Sequence, residues 1–174
     1  MNKEKLISAT EIAKLLLSFD QGREYFVDGK MIDREREIEL TIGNFRLNKM
    51  LHICQMLNYA KYGKPLFFED LRAYAHGAIV YPIYKNFFSF YRESLKPEEI
   101  NIETKNKSFI SKIYHYFKNY QDRDLETFSH DDIAWKDRFN GRWTEDEDKM
   151  VINNEVKSFY RDILGHIVRE VELS

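Results

Sequence analysis

Seven glycines and three prolines are all the punctuation that 174 residues receive, so the chain is expected to run in long uninterrupted elements. The apolar spacing says which kind. Leu47, Met50, Leu51, Cys54, Leu57 and Ala60 recur at helical intervals from Asn44 onward, and Gly63 followed by Pro65 stops that run. Ahead of it, Ser8 or Thr10 caps a first helix with Ile12, Leu15 and Leu16 on one face, ending near Asp20-Gln21-Gly22. Further on, the pattern predicts a short helix from Glu69 to His76 and another opened by Pro82 that carries Ile83, Phe87 and Phe90. Lys96 to Lys107 reads as a polar loop, and Ser108 caps a helix presenting Ile110, Ile113, Tyr114 and Phe117. Short turns around Leu125-Glu126 and Asp131-Asp132 lead to Trp135. Thr144 with Glu147 three residues on is a capping box, predicted to start a long helix with Ile152, Val156, Phe159, Ile163 and Ile167 on its buried face.

One stretch departs from this pattern. Tyr25-Phe26-Val27 and Met31-Ile32 flank Asp28-Gly29, a two-residue hairpin signal. After the charge run Asp33-Arg34-Glu35-Arg36-Glu37, read as solvated surface, Ile38, Leu40 and Ile42 alternate with polar residues. A small β ribbon is predicted over residues 23–42, as an excursion from a mainly α, single compact helical domain spanning residues 1–174. No repeat, low-complexity tract or dividing linker interrupts that domain.

Composition narrows the function classes. With 43% hydrophobic and 32% charged residues the chain is globular, and a chain of this length buries roughly 70% of its unfolded surface without a disulfide or metal. The formal net charge of -2, with both signs interspersed, argues against nucleic acid as a partner. The single cysteine, Cys54, fits a reducing compartment, and neither a signal peptide nor a run of roughly 20 apolar residues is present. A soluble cytoplasmic protein is expected, with no membrane partner.

No catalytic or metal-binding pattern stands out. His52 and Cys54 are two apart on a predicted helix and point to different faces, while His76, His115, His130 and His166 stand alone. Each histidine is read as a satisfied structural or surface residue, and Cys54 as a buried inert thiol. There is no nucleophile elbow, phosphate-binding glycine loop or His-Glu-x-x-His. The residues predict no enzyme, no cofactor and no metal. A rival reading, an enzyme using His76 or His130 with a nearby carboxylate, requires a pocket in which those groups converge. Aromatic residues reach 15%, which suits a protein-binding surface.

Three stretches carry a resemblance. The first is Leu47-Asn48-Lys49-Met50-Leu51-His52, continuing through Tyr62-Gly63-Lys64-Pro65-Leu66-Phe67. The second is Ala73-Tyr74-Ala75-His76-Gly77-Ala78-Ile79-Val80, running on to Tyr81-Pro82-Ile83-Tyr84. The third is Leu125-Glu126-Thr127-Phe128-Ser129-His130, with Ala134-Trp135 just beyond. In this order they resemble the Panacea domain, the family of SocA-like antitoxins and phage-associated GepA-like proteins, over roughly residues 44 to 170. Tyr74 stands where that family has Trp, Ala78 where it has Pro, Ser129 where it has Thr and His52 where it has Tyr. Residues 20–43 look like an insertion.

The resemblance implies an antitoxin that neutralises a toxin encoded nearby by direct protein contact, in some members as an adaptor delivering the toxin to a protease. A phage or mobile-element accessory protein without a toxin of its own is the alternative. Gly77, Ile79, Val80, His130 and Trp135 are read as scaffold, with Gly77 making a turn where a side chain would clash. Partner contact is assigned to Tyr25, Phe26 and Phe45, expected to be exposed on or beside the insertion, and to Lys49, Tyr74, Tyr81 and Tyr84. Lys49, a cation on an apolar helix face, needs a carboxylate or carbonyl partner or must snorkel out. A homodimer through the closing helix is also compatible with the pattern.

Overall fold

A computed structural model describes residues 6–139 and 148–174. The spine is α2 (Ile42–Tyr62), buried almost all round from Gly43 to Asn58 and ended by Gly63 in the left-handed conformation. Around it pack α1 (Ala9–Ser18), α5 (Thr104–Phe117), α6 (Asp122–His130) and α8 (Asn154–Leu173), with short helices α3 (Tyr81–Lys85), α4 (Phe87–Tyr91) and α7 (Ile133–Arg138). Two antiparallel hairpins complete the described residues: β1 (Lys30–Asp33) with β2 (Ile38–Thr41), and β3 (Leu71–Tyr74) with β4 (Gly77–Val80). The fold is mainly α with a small β ribbon at residues 30–41, as the sequence predicts, and a second ribbon that it does not. No helix among the described residues is long and apolar enough to cross a membrane.

A helix buried on all sides must account for its polar side chains. Asn48, Lys49, His52, Gln55 and Asn58 all lie on α2 and are 5% exposed or less. Gln55 holds the loop after the helix, accepting from Leu66 N at 2.7 Å and donating to Phe67 O at 3.0 Å. Asn58 Nδ2 donates to Lys64 O. Asn48, Lys49 and His52 serve the second hairpin and α6 in the same manner. The polar stripe of α2 therefore satisfies main chain in the loop after it and along the open edge of β4, with His52 reaching side chains around α6.

Local sequence explains most element ends. Ser8 caps α1, its Oγ accepting from Glu11 N at 3.2 Å, and the Glu69 carboxylate accepts from Ala9 N. Pro82 sits in the first turn of α3, but Asn86 breaks the predicted helix in two before Phe87. The helix predicted from Ser108 starts earlier, at Thr104, and Leu125-Glu126 lies inside α6 rather than in a turn.

Four expectations are corrected. Glu69 to His76 does not form a helix: β3 occupies Leu71–Tyr74, because Leu71 and Ala73 alternate inward and residues 148–150 pair along its outer edge. The first hairpin turns at the charge run and not at Asp28-Gly29, since Asp33 Oδ1 accepts from Glu35 N and Arg36 N and Glu37 takes a positive φ of 54. Phe26 and Phe45 are not exposed: they are 0% and 5% accessible, and Tyr25 is half-buried. The cause is Asp20, whose carboxylate accepts from the main-chain N of Glu24, Tyr25 and Phe26 and folds that stretch inward against Tyr114. Gly43 permits the close approach, since a Cβ there would sit 2.5 Å from Val27 O.

The fourth concerns α8. It begins at Asn154 under an Asn153 cap, and its buried face is Val156, Tyr160, Leu164, Val168 and Val171. Ile152 precedes the helix, Phe159 and Ile167 are half-buried and Ile163 is 51% exposed. Both stripes are apolar enough to be the core face, and Tyr160 decides between them by reaching a buried carboxylate. The Thr144–Glu147 capping box lies outside the described residues.

Candidate functional site

The second hairpin is held from behind by side chains. Lys49 Nζ donates to Ala78 O at 2.8 Å and Val80 N donates to Asn48 Oδ1 at 2.9 Å, so α2 supplies the partners that a neighbouring strand would give β4. Ala78 N donates to Ser129 Oγ on α6. At the turn, Trp135 Nε1 donates to Tyr74 O and His130 Nε2 to Ala75 O, both at 2.9 Å, with the two rings stacked 4.1 Å apart. Gly77 makes this geometry accessible: its φ is +104, and a Cβ would lie 2.5 Å from Ser129 Oγ and 2.9 Å from Lys49 Cε. Ile79 and Val80 are core residues. Gly77, Ile79 and Val80 thus form the braced strand, and His130 and Trp135 hold its turn.

Beneath that turn lies a network that sequence reasoning missed. The Asp132 carboxylate caps α7 by accepting from Ala134 N, and it also takes His52 Nε2 and the Tyr160 hydroxyl, each at 2.7 Å. His52 Nδ1 is 2.9 Å from Ser129 Oγ. These partners assign the protons: Nε2–H donates to Asp132, Nδ1 accepts from the Ser129 hydroxyl, and Ser129 Oγ accepts from Ala78 N. Burial, together with the Asp132 charge, pushes the Tyr160 phenol well above its ordinary range. Ser129, His52 and Asp132 match a hydrolase triad in composition, but they are 1%, 0% and 1% exposed. With Oγ enclosed and already accepting a main-chain N–H, the trio works as a clamp on the hairpin. The signal available in the sequence was the run of polar residues on a helix otherwise too apolar for them.

On the outer side, the two hairpins enclose a cavity of about 120 Å³. Its floor is Leu40, Phe45, Asn48, Lys49 and Ile79, all buried. Its rim includes Glu39 and Thr41 from β2, Asn44, His76, and the Tyr74 and Tyr84 rings, which meet edge-on at 5.8 Å. Lys49 is 1% exposed, and its ammonium lies 5.0 Å from the Phe45 ring centre. Burial pulls its pKa down to about 7, which Glu126 only partly opposes. His76 stands between this cavity and a second of about 340 Å³ under the first hairpin. Its Nδ1 is 2.8 Å from Glu126 Oε2 and its Nε2 is 3.1 Å from Asp33 Oδ2. The His76 contact holds the Glu126 carboxyl below the usual range, and burial lowers the pKa of the His130 imidazole.

Of the residues assigned to partner contact, Phe45, Lys49, Tyr74 and Tyr84 converge on the smaller cavity. Tyr25 and Phe26 lie elsewhere, with Tyr114 of α5. Tyr81 is half-buried with the Arg72 guanidinium 4.8 Å from its ring centre. Of the histidines in the rival enzyme reading, His76 does converge with a carboxylate, Glu126, at 2.8 Å in the lining of the larger cavity, whereas His130 is bonded to Ala75 O. Burial places the Cys54 thiol high, as an inert core group.

A model of the family described as "Antitoxin SocA-like, Panacea domain" matches residues 47–136, a narrower span than the sequence reading, ending before α8. No curated protein and no solved structure matches.

Proposed function

The chain belongs to the antitoxin SocA-like family, whose Panacea domain covers just over half of it, and from that premise we propose that it neutralises a cognate toxin by direct protein–protein contact. The activity is stoichiometric binding and involves no catalytic step. The carrying observation is the family match itself. Its span contains Lys49, the gripped hairpin from Tyr74 to Val80, and the Ser129, His130, Asp132 and Trp135 side chains that hold it. The first hairpin lies outside that span and walls the cavity on its other side. A braced wall inside the family span facing one outside it supports a scaffold that is directed to its own toxin by the first hairpin.

Co-expression with the product of the adjacent gene tests this. The expected result is rescue of growth from a toxic neighbour together with co-purification of the two chains. A toxic neighbour whose lethality persists and which does not co-purify overturns the reading.

A further inference from the structure

A buried cation with unused donors, at the floor of a cavity that opens to solvent, is an incomplete ion pair. An ammonium has three N–H groups, and among the described residues Lys49 Nζ makes one hydrogen bond, to Ala78 O. Glu126, the carboxylate that acts on it, is itself bonded to His76 Nδ1 at 2.8 Å. The other charged or titratable groups around Lys49 come from every side. Glu39 of β2 is at the rim 3.9 Å from Lys30, Arg36 is paired with Asp33, and His76, Tyr74 and Tyr84 form the mouth. His130 of α6 is committed to Ala75 O. Among the described residues, no group neutralises Lys49 by direct contact.

The walls suit a short side chain. Leu40, Phe45 and Ile79 offer apolar surface, and the Asn44 and Asn48 amides are engaged with Tyr84 O and with Asn44 and Val80. Resting on the antitoxin reading, we propose that this cavity is the recognition pocket for an aspartate or glutamate side chain of the partner protein, whose carboxylate takes the unused N–H groups of Lys49. Inside a low-dielectric cavity that contact is stronger than on a surface. An arriving carboxylate favours the charged amine, so occupancy raises the lysine's pKa and, near and above neutral pH, takes up a proton.

The partner being unidentified, the probes are propionate and its neutral counterpart propionamide, added to the intact protein carrying lysine labelled at Cε with carbon-13. Without ligand, the Lys49 resonance is expected to titrate near neutrality. With saturating propionate its midpoint should rise by about one pH unit or more, and propionamide should leave it unmoved. Lys49→Met, checked for folding by circular dichroism, should no longer bind propionate; if that variant does not fold, the titration of the parent protein decides alone. A midpoint unchanged by propionate, or raised equally by propionamide, overturns the pocket. The two readings fail separately. Toxin rescue without propionate binding removes the pocket alone, whereas propionate binding beside a toxin that is neither rescued nor co-purified removes the antitoxin reading and, with it, the partner assigned to the pocket.

Discussion

The molecule carries two antiparallel hairpins of equal strand length, and their surroundings hold them in opposite ways. In the second, every residue of β4 is buried, and its main chain is bonded by Lys49, Asn48 and Ser129, with Trp135 and His130 on the turn. In the first, β1 alternates between exposed and half-buried, Ile32 is 71% exposed, and the turn is closed by its own Asp33 and Arg36. A two-stranded ribbon is marginal in water, so each needs outside support. The second finds it in helices α2, α6 and α7. The first finds it at its base, where Gly43 N donates to Val27 O, and through His76 beside Asp33. Support from neighbouring elements is thus concentrated on the second-hairpin side of the cleft, and the first hairpin relies on its own turn and base.

The contrast breaks first at Asp132. Asp132→Ala leaves the Ala134 N–H, the His52 N–H and the Tyr160 hydroxyl without their acceptor, at an expected cost of about 3–5 kcal/mol. Urea unfolding followed by circular dichroism measures it, and a loss below about 1 kcal/mol would contradict the clamp. Next comes Gly77→Ala, which combines a φ of +104 with overlap on Ser129 and Lys49. A loss of about 2–4 kcal/mol is expected in the same assay.

A pH series sharpens the comparison further. Between about 7 and the unfolded value of 10.5, the unfolded chain holds a proton at Lys49 that the folded chain lacks. Stability from this group therefore rises with pH through that window and is level below it, with a slope approaching ~1.4 kcal/mol per pH unit. Comparing denaturation midpoints of the parent and Lys49→Met across pH 7 to 10 should show that slope only in the parent. The smallest effect on folding belongs to the first hairpin. Ile32→Asp should change stability by no more than about 0.5 kcal/mol, yet weaken a co-purifying toxin about tenfold or more by titration calorimetry. Unchanged affinity would take the insertion out of the interface.

The sequence made local features legible and left non-local ones hidden. The Ser8 cap, the Gly63 stop and the Pro82 start each depend on residues within a few positions. The clamp draws on residues 52, 129, 132 and 160, and no spacing rule links them. Strand β3 pairs with the nearby β4, but four residues are too few to separate strand from helix by spacing, and the second edge partner, residues 148–150, lies far along the chain. For α8, periodicity identified an amphipathic helix but two adjacent stripes were both apolar, and only Tyr160 finding Asp132 fixes the rotation. In the cleft, Lys49 was singled out for the mismatch between its charge and its helix face, which its burial accounts for.

Tyr160 has a consequence for the order in which the molecule can be finished. It is among the largest fully buried side chains, and α8 emerges from the ribosome after every other described element. Until it arrives, one flank of the spine helix is bare and Asp132 lacks one of its three donors. Nascent chains stopped short of residue 154 hold both hairpins, the lysine and most of the core, but cannot close the interior around them. The supply of competent molecules is therefore set by translation through α8, and a chain stopped before it presents an apolar flank to the proteases and chaperones that survey unfinished proteins.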